Sequence, residues 1–379
     1  MRLLMLSGDR QSTVGERGPF YQMQTEFSRW FERIDVLCPR PDKPVTTRVM
    51  HGNVHLHPAP VPRTRMVGWL VRAGARLVAE HQPALIVSHD YGWFYNGIAS
   101  ARIAAHTGVP YLSEIHHVPG HPVPVDMRER FDRHVARVYV RWARSRARAF
   151  RVVNSVEMPN LLMSFGVPRE QILVLPSLYI DLATFAPHTP APAPERDVIF
   201  AGRLVANKNV AALFDALALC ARDGLALRAT LVGRGPLRGA LEAHAKQLGI
   251  AERIEWIDWV EGPENLAELY RRSRALVCAS TCEGGPRVTV EAMACGTPVI
   301  STPVGIMGEL LAEGRGGVLC GFDGPGIARG LVQLLGDEGR RSVFASGART
   351  LAERFEYHTV LAGYARGLHE LVGEQAVRA

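Results

Sequence analysis

The sequence predicts an α/β protein of two Rossmann-like domains facing each other across a crevice. Three observations carry this. The chain has 379 residues, long for one hydrophobic core and comfortable for two. Each half alternates short apolar runs with amphipathic stretches, the pattern of parallel sheets covered by helices on both faces. Between the halves stands Ala186-Pro187-His188-Thr189-Pro190-Ala191-Pro192-Ala193-Pro194. Its prolines fix φ and lack an N–H, so it favours a semi-rigid extended linker.

The elements follow in chain order. In the first half, strands are expected at 3–7, 35–38, 85–88, 111–115 and 149–154, and helices near 20–31, 66–80, 96–106, 128–146 and 158–165. In the second half, strands are expected at 197–201, 228–232, 254–259, 275–279, 299–301 and 317–319. The helices there fall near 209–222, 236–248, 264–272, 287–294, 327–335 and 340–354, and a last one runs from 357 to about 372. The domain expectation is therefore 1–187, a linker at 188–196, 197–356, and a C-terminal helix within 357–379 that packs back on the first domain. Ligand is expected in the crevice at the strand ends.

Composition narrows the class. The chain is 47% hydrophobic and 21% charged, an ordinary globular mixture. No apolar run is long enough to cross a bilayer, and the opening Met1–Gly8 stretch reads as a buried strand rather than a signal peptide. The six cysteines, Cys38, Cys220, Cys278, Cys282, Cys295 and Cys320, show no paired metal-ligand spacing and are taken as reduced thiols of a cytoplasmic enzyme. Net charge is +7, and the residues up to Pro187 hold all of the excess, with 23 Lys and Arg against 15 Asp and Glu. A basic first half points to an anionic partner: a membrane surface, nucleic acid or a phosphorylated substrate.

Three loops of the second half carry chemistry. In Phe200-Ala201-Gly202-Arg203-Leu204-Val205-Ala206-Asn207-Lys208-Asn209 a strand ends at a glycine, and two cations five apart precede a helix. Fixed positive charge and free helical N–H groups around one point suit a diphosphate; solvated surface charge is the plainer alternative. In Leu231-Val232-Gly233-Arg234-Gly235-Pro236-Leu237 the glycines make a weak dinucleotide match with Gly239, but the loop follows the second strand of its domain, and it reads as a turn lining the same crevice. In Ser280-Thr281-Cys282-Glu283-Gly284-Gly285-Pro286-Arg287-Val288-Thr289-Val290-Glu291, a strand ends, two glycines expose amides, and a helix begins. One carboxylate then sits in the loop and one on the helix. Carboxylates grip sugar hydroxyls through charge-assisted hydrogen bonds.

These loops, in this order and followed by Ala292-Met293-Ala294-Cys295-Gly296-Thr297-Pro298, make 198–322 resemble the nucleotide-binding domain of the retaining family 4 glycosyltransferases of GT-B fold. The resemblance implies that Arg203 and Lys208 hold the donor diphosphate, Glu291 the ribose and Glu283 the donor sugar. Gly202, Arg234, Gly235, Gly284 and Gly285 would complete the donor site. In the first half, Gly108-Val109-Pro110-Tyr111-Leu112-Ser113-Glu114-Ile115-His116 resembles the family's strand ending in an active-site histidine, which gives that role to His116. His117, His89 and Gly18 are placed on the acceptor side. The family's glycine pair after the first strand is replaced by Ser7-Gly8-Asp9-Arg10, and its motif near the hinge by Pro176-Ser177-Leu178-Tyr179-Ile180-Asp181, so the local contacts differ there.

The resemblance further implies transfer of a hexosyl group from a nucleotide-diphosphate sugar, UDP- or GDP-linked, to a glycan or lipid-linked acceptor, with retention, without metal and with no cofactor. Among the alternatives are a GT-B-like sugar-nucleotide epimerase and an NAD(P)-dependent oxidoreductase built on Gly233, Gly235 and Gly239. A nucleic-acid-binding protein finds no aromatic stacking platform beside the arginines. Finally, Arg130, Arg133, Arg137, Arg141, Arg144 and Arg148 fall on one helical stripe, next to an apolar stripe of Phe131, Val135, Val138 and Trp142. A second Arg-rich stretch, Arg63, Arg65, Arg72 and Arg76, surrounds Trp69. Either the arginines sit on the anionic inner face of the cytoplasmic membrane, or the apolar stripe packs inward and they are merely wet.

Overall fold

The computed structural model describes residues 1–190 and 192–373. Of the expected segments, residue 191 of the linker and 374–379 of the last segment lie outside the described residues. Fourteen strands form two sheets among the described residues. The first sheet comprises β1 (Arg2–Leu6), β2 (Arg33–Cys38), β3 (Val49–Met50), β4 (Val54–Pro58), β5 (Leu85–His89), β6 (Tyr111–Glu114), β7 (Ala149–Val152) and β8 (Ile172–Val174). Its order is β3-β4-β2-β1-β5-β6-β7-β8, and only the β3–β4 pair is antiparallel. The second sheet comprises β9 (Arg196–Ala201), β10 (Ala229–Val232), β11 (Ile254–Ile257), β12 (Ser273–Cys278), β13 (Val299–Ser301) and β14 (Gly317–Leu319), in the order β11-β10-β9-β12-β13-β14, all parallel. The two domains have the GT-B arrangement.

Both sheets are buried on both faces, which is why their strands read as near-continuous apolar runs. In the first sheet Leu4, Leu6 and Ile86 face one core, and Leu3, Met5 and Val87 face the other. The second sheet divides likewise, with Val198, Phe200 and Leu231 on one side and Ile199, Leu276 and Met293 on the other. In each sheet the strand order reverses at its first strand: β1 lies between β2 and β5, and β9 between β10 and β12. Ligand crevices form at such switch points, beyond the carboxyl ends of the strands.

The helix Tyr357–Leu371 places Leu361, Tyr364 and Leu368 in the same core as Leu3, Met5 and Phe27 of the first domain. The two chain crossovers between the domains run side by side. Ile180 N–H donates to Phe355 O at 2.7 Å, and Tyr357 N–H to Ile180 O at 3.1 Å.

Several expectations need correction. The strands β3, β4 and β8 were not expected. The helix read as 128–146 is Met127–Ala143, so Arg144 is its C-cap and Arg148 lies beyond it, off the stripe. Nor does the stripe Phe131, Val135, Val138, Trp142 pack inward as a whole: Val135 and Trp142 are partly buried against the core. Ala136, Tyr139, Val140 and Ala143 are buried, while Phe131 and Val138 are more than half exposed. With Trp93, Phe94 and Ile98 they line an open apolar groove of about 530 Å³.

Candidate active site

The second domain builds its half of the site from the ends of β9, β10 and β12. After β9, a short 3-10 turn over Ala206–Lys208 leads to Asn209 at φ 52°, a left-handed conformation that asparagine tolerates. This turn lies on the loop after β12, where Thr281 N–H donates to Asn207 O at 2.8 Å. Lys208 Nζ is thereby brought to the carboxylate of Glu283, which also accepts from Ser280 Oγ at 3.0 Å. Arg203 is exposed and has no ion-pair partner among the described residues. The loop after β10 backs this one: Gly202 N–H donates to Val232 O and Leu204 N–H to Arg234 O, at 2.9 and 2.8 Å. A Cβ on Gly233 would stand 1.9 Å from Gly202 O, so close backbone approach accounts for this glycine, and the dinucleotide reading of the motif is not needed. Arg234 is exposed beside Asp258, at 3.6 Å.

Glu291 is buried on its helix. It is 6% exposed, and its carboxylate accepts from Arg287 Nε at 2.8 Å and from Tyr270 OH at 3.2 Å. Arg287, one turn earlier on the helix Arg287–Ala294, lines the crevice cavity. The i, i+4 spacing of these two residues is a signal that the sequence held and the motif reading passed over.

The first domain contributes the end of β6. His116 and His117 line a crevice cavity of about 270 Å³ together with Tyr179, Glu283, Gly284 and Arg287. His116 belongs to a buried network that the sequence reading did not reach. Arg151, 1% exposed on β7, donates from Nη1 to Glu114 Oε1 at 2.9 Å and approaches His116 Nε2 at 3.3 Å. Its other nitrogens donate to the carbonyls of Leu175 and Pro176. Tyr364, from the C-terminal helix, donates to Glu114 and lies under the Arg151 guanidinium, whose carbon is 3.6 Å from its ring centroid. His89 Nε2 stands 2.8 Å from Glu114 Oε2.

Electrostatics decide what His116 can do. Burial, and then the Arg151 charge, push its pKa down to about 3, so the ring is neutral. A guanidinium only donates, so Nε2 must accept, and the ring proton sits on Nδ1. His116 therefore carries its one N–H on Nδ1, as a donor, and its Nε2 lone pair is already engaged. Burial pushes the Glu114 carboxyl up, but Arg151 and His89 outweigh it and hold it well below the usual carboxylate range.

The two domains touch around this cavity. Cys282 Sγ–H donates to Val118 O at 3.3 Å, Gly305 N–H donates to Glu157 Oε2 at 2.7 Å, and Val156 N–H donates to Glu309 Oε1 at 2.8 Å. Gly284 lies against the His116 carbonyl, and a Cβ there would stand 2.4 Å from that oxygen. Gly18 precedes the helix Pro19–Phe27, whose first residue lines the cavity, and His89 reaches the site through Glu114. No group of three His, Cys, Asp or Glu residues is poised to hold a metal ion among the described residues.

With this geometry in place, the chain matches the family model of glycosyl transferases group 1 over 184–351, and that of the glycosyl transferase 4-like domain over 20–177. Its second half is a group 1 glycosyl transferase domain and its first a glycosyl transferase 4-like domain. A D-inositol 3-phosphate glycosyltransferase of Xylanimonas cellulosilytica is 33% identical over 215 residues, 52% of this chain and 51% of that protein. The relative of the same name from Nocardia farcinica is 32% identical over 247 residues, 59% of this chain and 54% of its own length. The chain thus spans about half the length of the curated relatives it matches. Among solved structures, a sucrose-phosphate synthase from Thermosynechococcus elongatus superimposes with a TM-score of 0.78 at 19% identity, covering 98% of both chains. Anabaena HepE in complex with UDP-glucose gives 0.73 at 20% identity, covering 98% of this chain and 100% of that one. At these identities the likeness is one of fold.

The approach of Gly284 to His116 makes a sharp test of how the two domains meet. In Gly284→Ala the new methyl meets backbone and not a yielding side chain, so the domains must part. Displacements of this size misalign reacting groups. Turnover is expected to fall by about 10- to 100-fold, with the melting temperature nearly unchanged, in parallel kinetic and calorimetric measurements.

Proposed function

We propose that this protein is a retaining hexosyltransferase that moves a sugar from a UDP- or GDP-sugar to a glycan or lipid-linked hydroxyl without a metal. The observation that carries it is the meeting of Lys208 and Glu283 on adjoining loops of the second domain, with the Gly284 backbone against His116 of the first. In this reading residues 1–187 take the acceptor, 197–356 take the donor, and the helix from 357 belongs with the acceptor domain. Arg203 and Lys208 take the diphosphate, Glu291 the ribose and Glu283 the sugar.

The chemistry follows from charge. As the anomeric C–O bond breaks, negative charge gathers on the departing phosphate. Fixed cations and loop amides stabilise that charge without reorganising. The acceptor hydroxyl attacks the same face and passes its proton to the leaving phosphate oxygen. With Nε2 held by Arg151, His116 serves as a hydrogen-bond donor and not as a base. Calorimetric titration with UDP-, GDP- and ADP-sugars tests this reading, with NAD(P) included against the oxidoreductase alternative.

Peripheral membrane attachment belongs to the same proposal. Trp93 is 62% exposed and stacks edge-on to Phe131, with ring centroids 6.2 Å apart, in the apolar groove that Arg102 also lines, and Arg130, Arg137 and Arg141 are exposed on the helix that carries Phe131. Apolar side chains beside cations suit an anionic bilayer surface. The protein is expected to sediment with vesicles containing anionic lipid at low salt. Trp93→Ala/Phe131→Ala should reduce the bound fraction several-fold, and equal sedimentation of the two proteins counts against this surface.

A further inference from the structure

A second cavity, of about 380 Å³, opens beyond the carboxyl ends of β1, β2, β4 and β5, lined by Arg10, Arg40 and Arg63. None of its lining residues belongs to the crevice cavity around His116. Arg40 lies between Pro39 and Pro41, and Arg63 follows Pro62, so two of the three arginines stand on stiff backbone. The one acid in the lining is Asp42, which accepts from Arg10 Nη1 at 3.2 Å. That pair is open to water, with the Asp42 side chain 86% exposed, so it binds weakly and yields to a better anion.

Two further features add positive potential. The Arg63 guanidinium lies over the Tyr95 ring, 5.5 Å from its centroid, which steadies it at the rim. The 3-10 turn Arg63–Arg65 runs into the sixteen-residue helix Met66–His81 at the cavity, with no acid in the first turn of either. The helix dipole therefore favours negative charge there. Guanidinium groups are permanent donors whose fork geometry matches phosphate oxygens.

Position separates this site from the donor diphosphate. β1 is two strands from β6, which leads to His116, and β2 is three strands away. At ~4.8 Å per strand the cavity lies about 10–15 Å from His116. A group bound there belongs to a molecule lying along the first domain and reaching the reacting centre with its other end.

We propose that the acceptor carries a phosphate group and that Arg10, Arg40 and Arg63 hold it. The inference rests on the proposed function, in which the first domain takes the acceptor. The phosphate can belong to a soluble sugar phosphate or to a lipid headgroup, and the two are separable by experiment.

The full chain is titrated calorimetrically with inorganic phosphate, glucose 6-phosphate and glucose, each with and without saturating UDP. Sedimentation follows with neutral phosphatidylcholine vesicles with and without polyprenyl phosphate. Arg40→Ala/Arg63→Ala and Asp42→Asn are run beside wild type. Phosphate-dependent binding that survives UDP, falls tenfold or more in the double-arginine variant and tightens in Asp42→Asn is the expected result. Binding of glucose 6-phosphate assigns a soluble acceptor, and binding only to the polyprenyl phosphate vesicles assigns a lipid-linked one. If phosphorylated and plain probes bind alike, or the double variant binds as wild type does, the proposal is overturned. UDP binding is expected to be unchanged in the double variant. Failure of both UDP and GDP to bind wild type removes the donor reading, while the titrations without nucleotide still report on the arginines.

Discussion

Lys208→Met is expected to lower sugar transfer by about 100- to 1,000-fold, the usual effect of removing one preorganised group that faces transition-state charge. The protein should stay folded. Lys208 Nζ is held by Glu283 on an adjoining loop, and in the variant Glu283 keeps its hydrogen bond from Ser280 and some contact with water, its side chain being 17% exposed. The same pair makes a second, opposite-signed forecast. A diphosphate at Lys208 competes with the Glu283 carboxylate. Glu283→Gln removes that competing charge while losing the proposed sugar contact. Nucleoside diphosphate should therefore bind about two- to fivefold tighter, in line with the modest worth of a partly exposed ion pair, even as turnover drops. Calorimetric titration of the two variants beside steady-state kinetics separates these effects. Intact transfer in Lys208→Met contradicts the donor assignment.

The second large effect is expected in the first domain. Arg151→Met strands the buried Glu114 carboxylate beside Tyr364 and His89, and breaking one side of such a pair costs about 3–5 kcal/mol. For a domain of this size that lowers its melting temperature by about 10 °C or more. Replacing both partners, in Glu114→Leu/Arg151→Met, should recover much of the loss, because no unpaired buried charge remains. His116 provides a readout that a purely structural role would not move. In wild type its ring is expected to stay neutral at pH 5, protonated on Nδ1, in ¹⁵N NMR spectra. The sign follows from the lowered folded pKa: the unfolded ring takes up a proton from about pH 6.5 downward, so the His116 contribution to stability is present above that and fades as pH falls toward about 3. In Arg151→Met the ring loses its donor at Nε2, and its titration should move up toward the ordinary imidazole range.

Much of this was legible in the sequence because parallel sheets buried on both faces write themselves as apolar runs. β13 and β14 fall at the expected residues, and β1, β5, β6 and β12 within one or two. The missed strands have physical reasons. β4 reads Val54-His55-Leu56-His57-Pro58, with polar residues where a doubly buried strand has none, and β3 and β8 are two and three residues long. The loops with Lys208 and Glu283 were legible because glycines and charges cluster at strand ends. The network behind His116 was not, since Glu114, Arg151 and Tyr364 are drawn from three distant segments and only the fold sets them in contact. One local signal did stand in the sequence: an arginine inside the apolar run Ala149–Val152, whose burial requires a partner. The arginine stripe was over-read at its end because a helical wheel continues past Ala143 while the backbone does not.

The central claim is that the crevice binds a nucleotide-diphosphate sugar through Lys208, and calorimetric titration of a panel tests it most directly. UDP, GDP and ADP, their hexose conjugates and NAD(P) are titrated, with EDTA present, into wild type and Lys208→Met. The account predicts that one nucleoside diphosphate and its sugar bind wild type without metal, and bind Lys208→Met at least tenfold more weakly. Binding of NAD(P) with no response to any sugar nucleotide, or equal affinity in the two proteins, would contradict it.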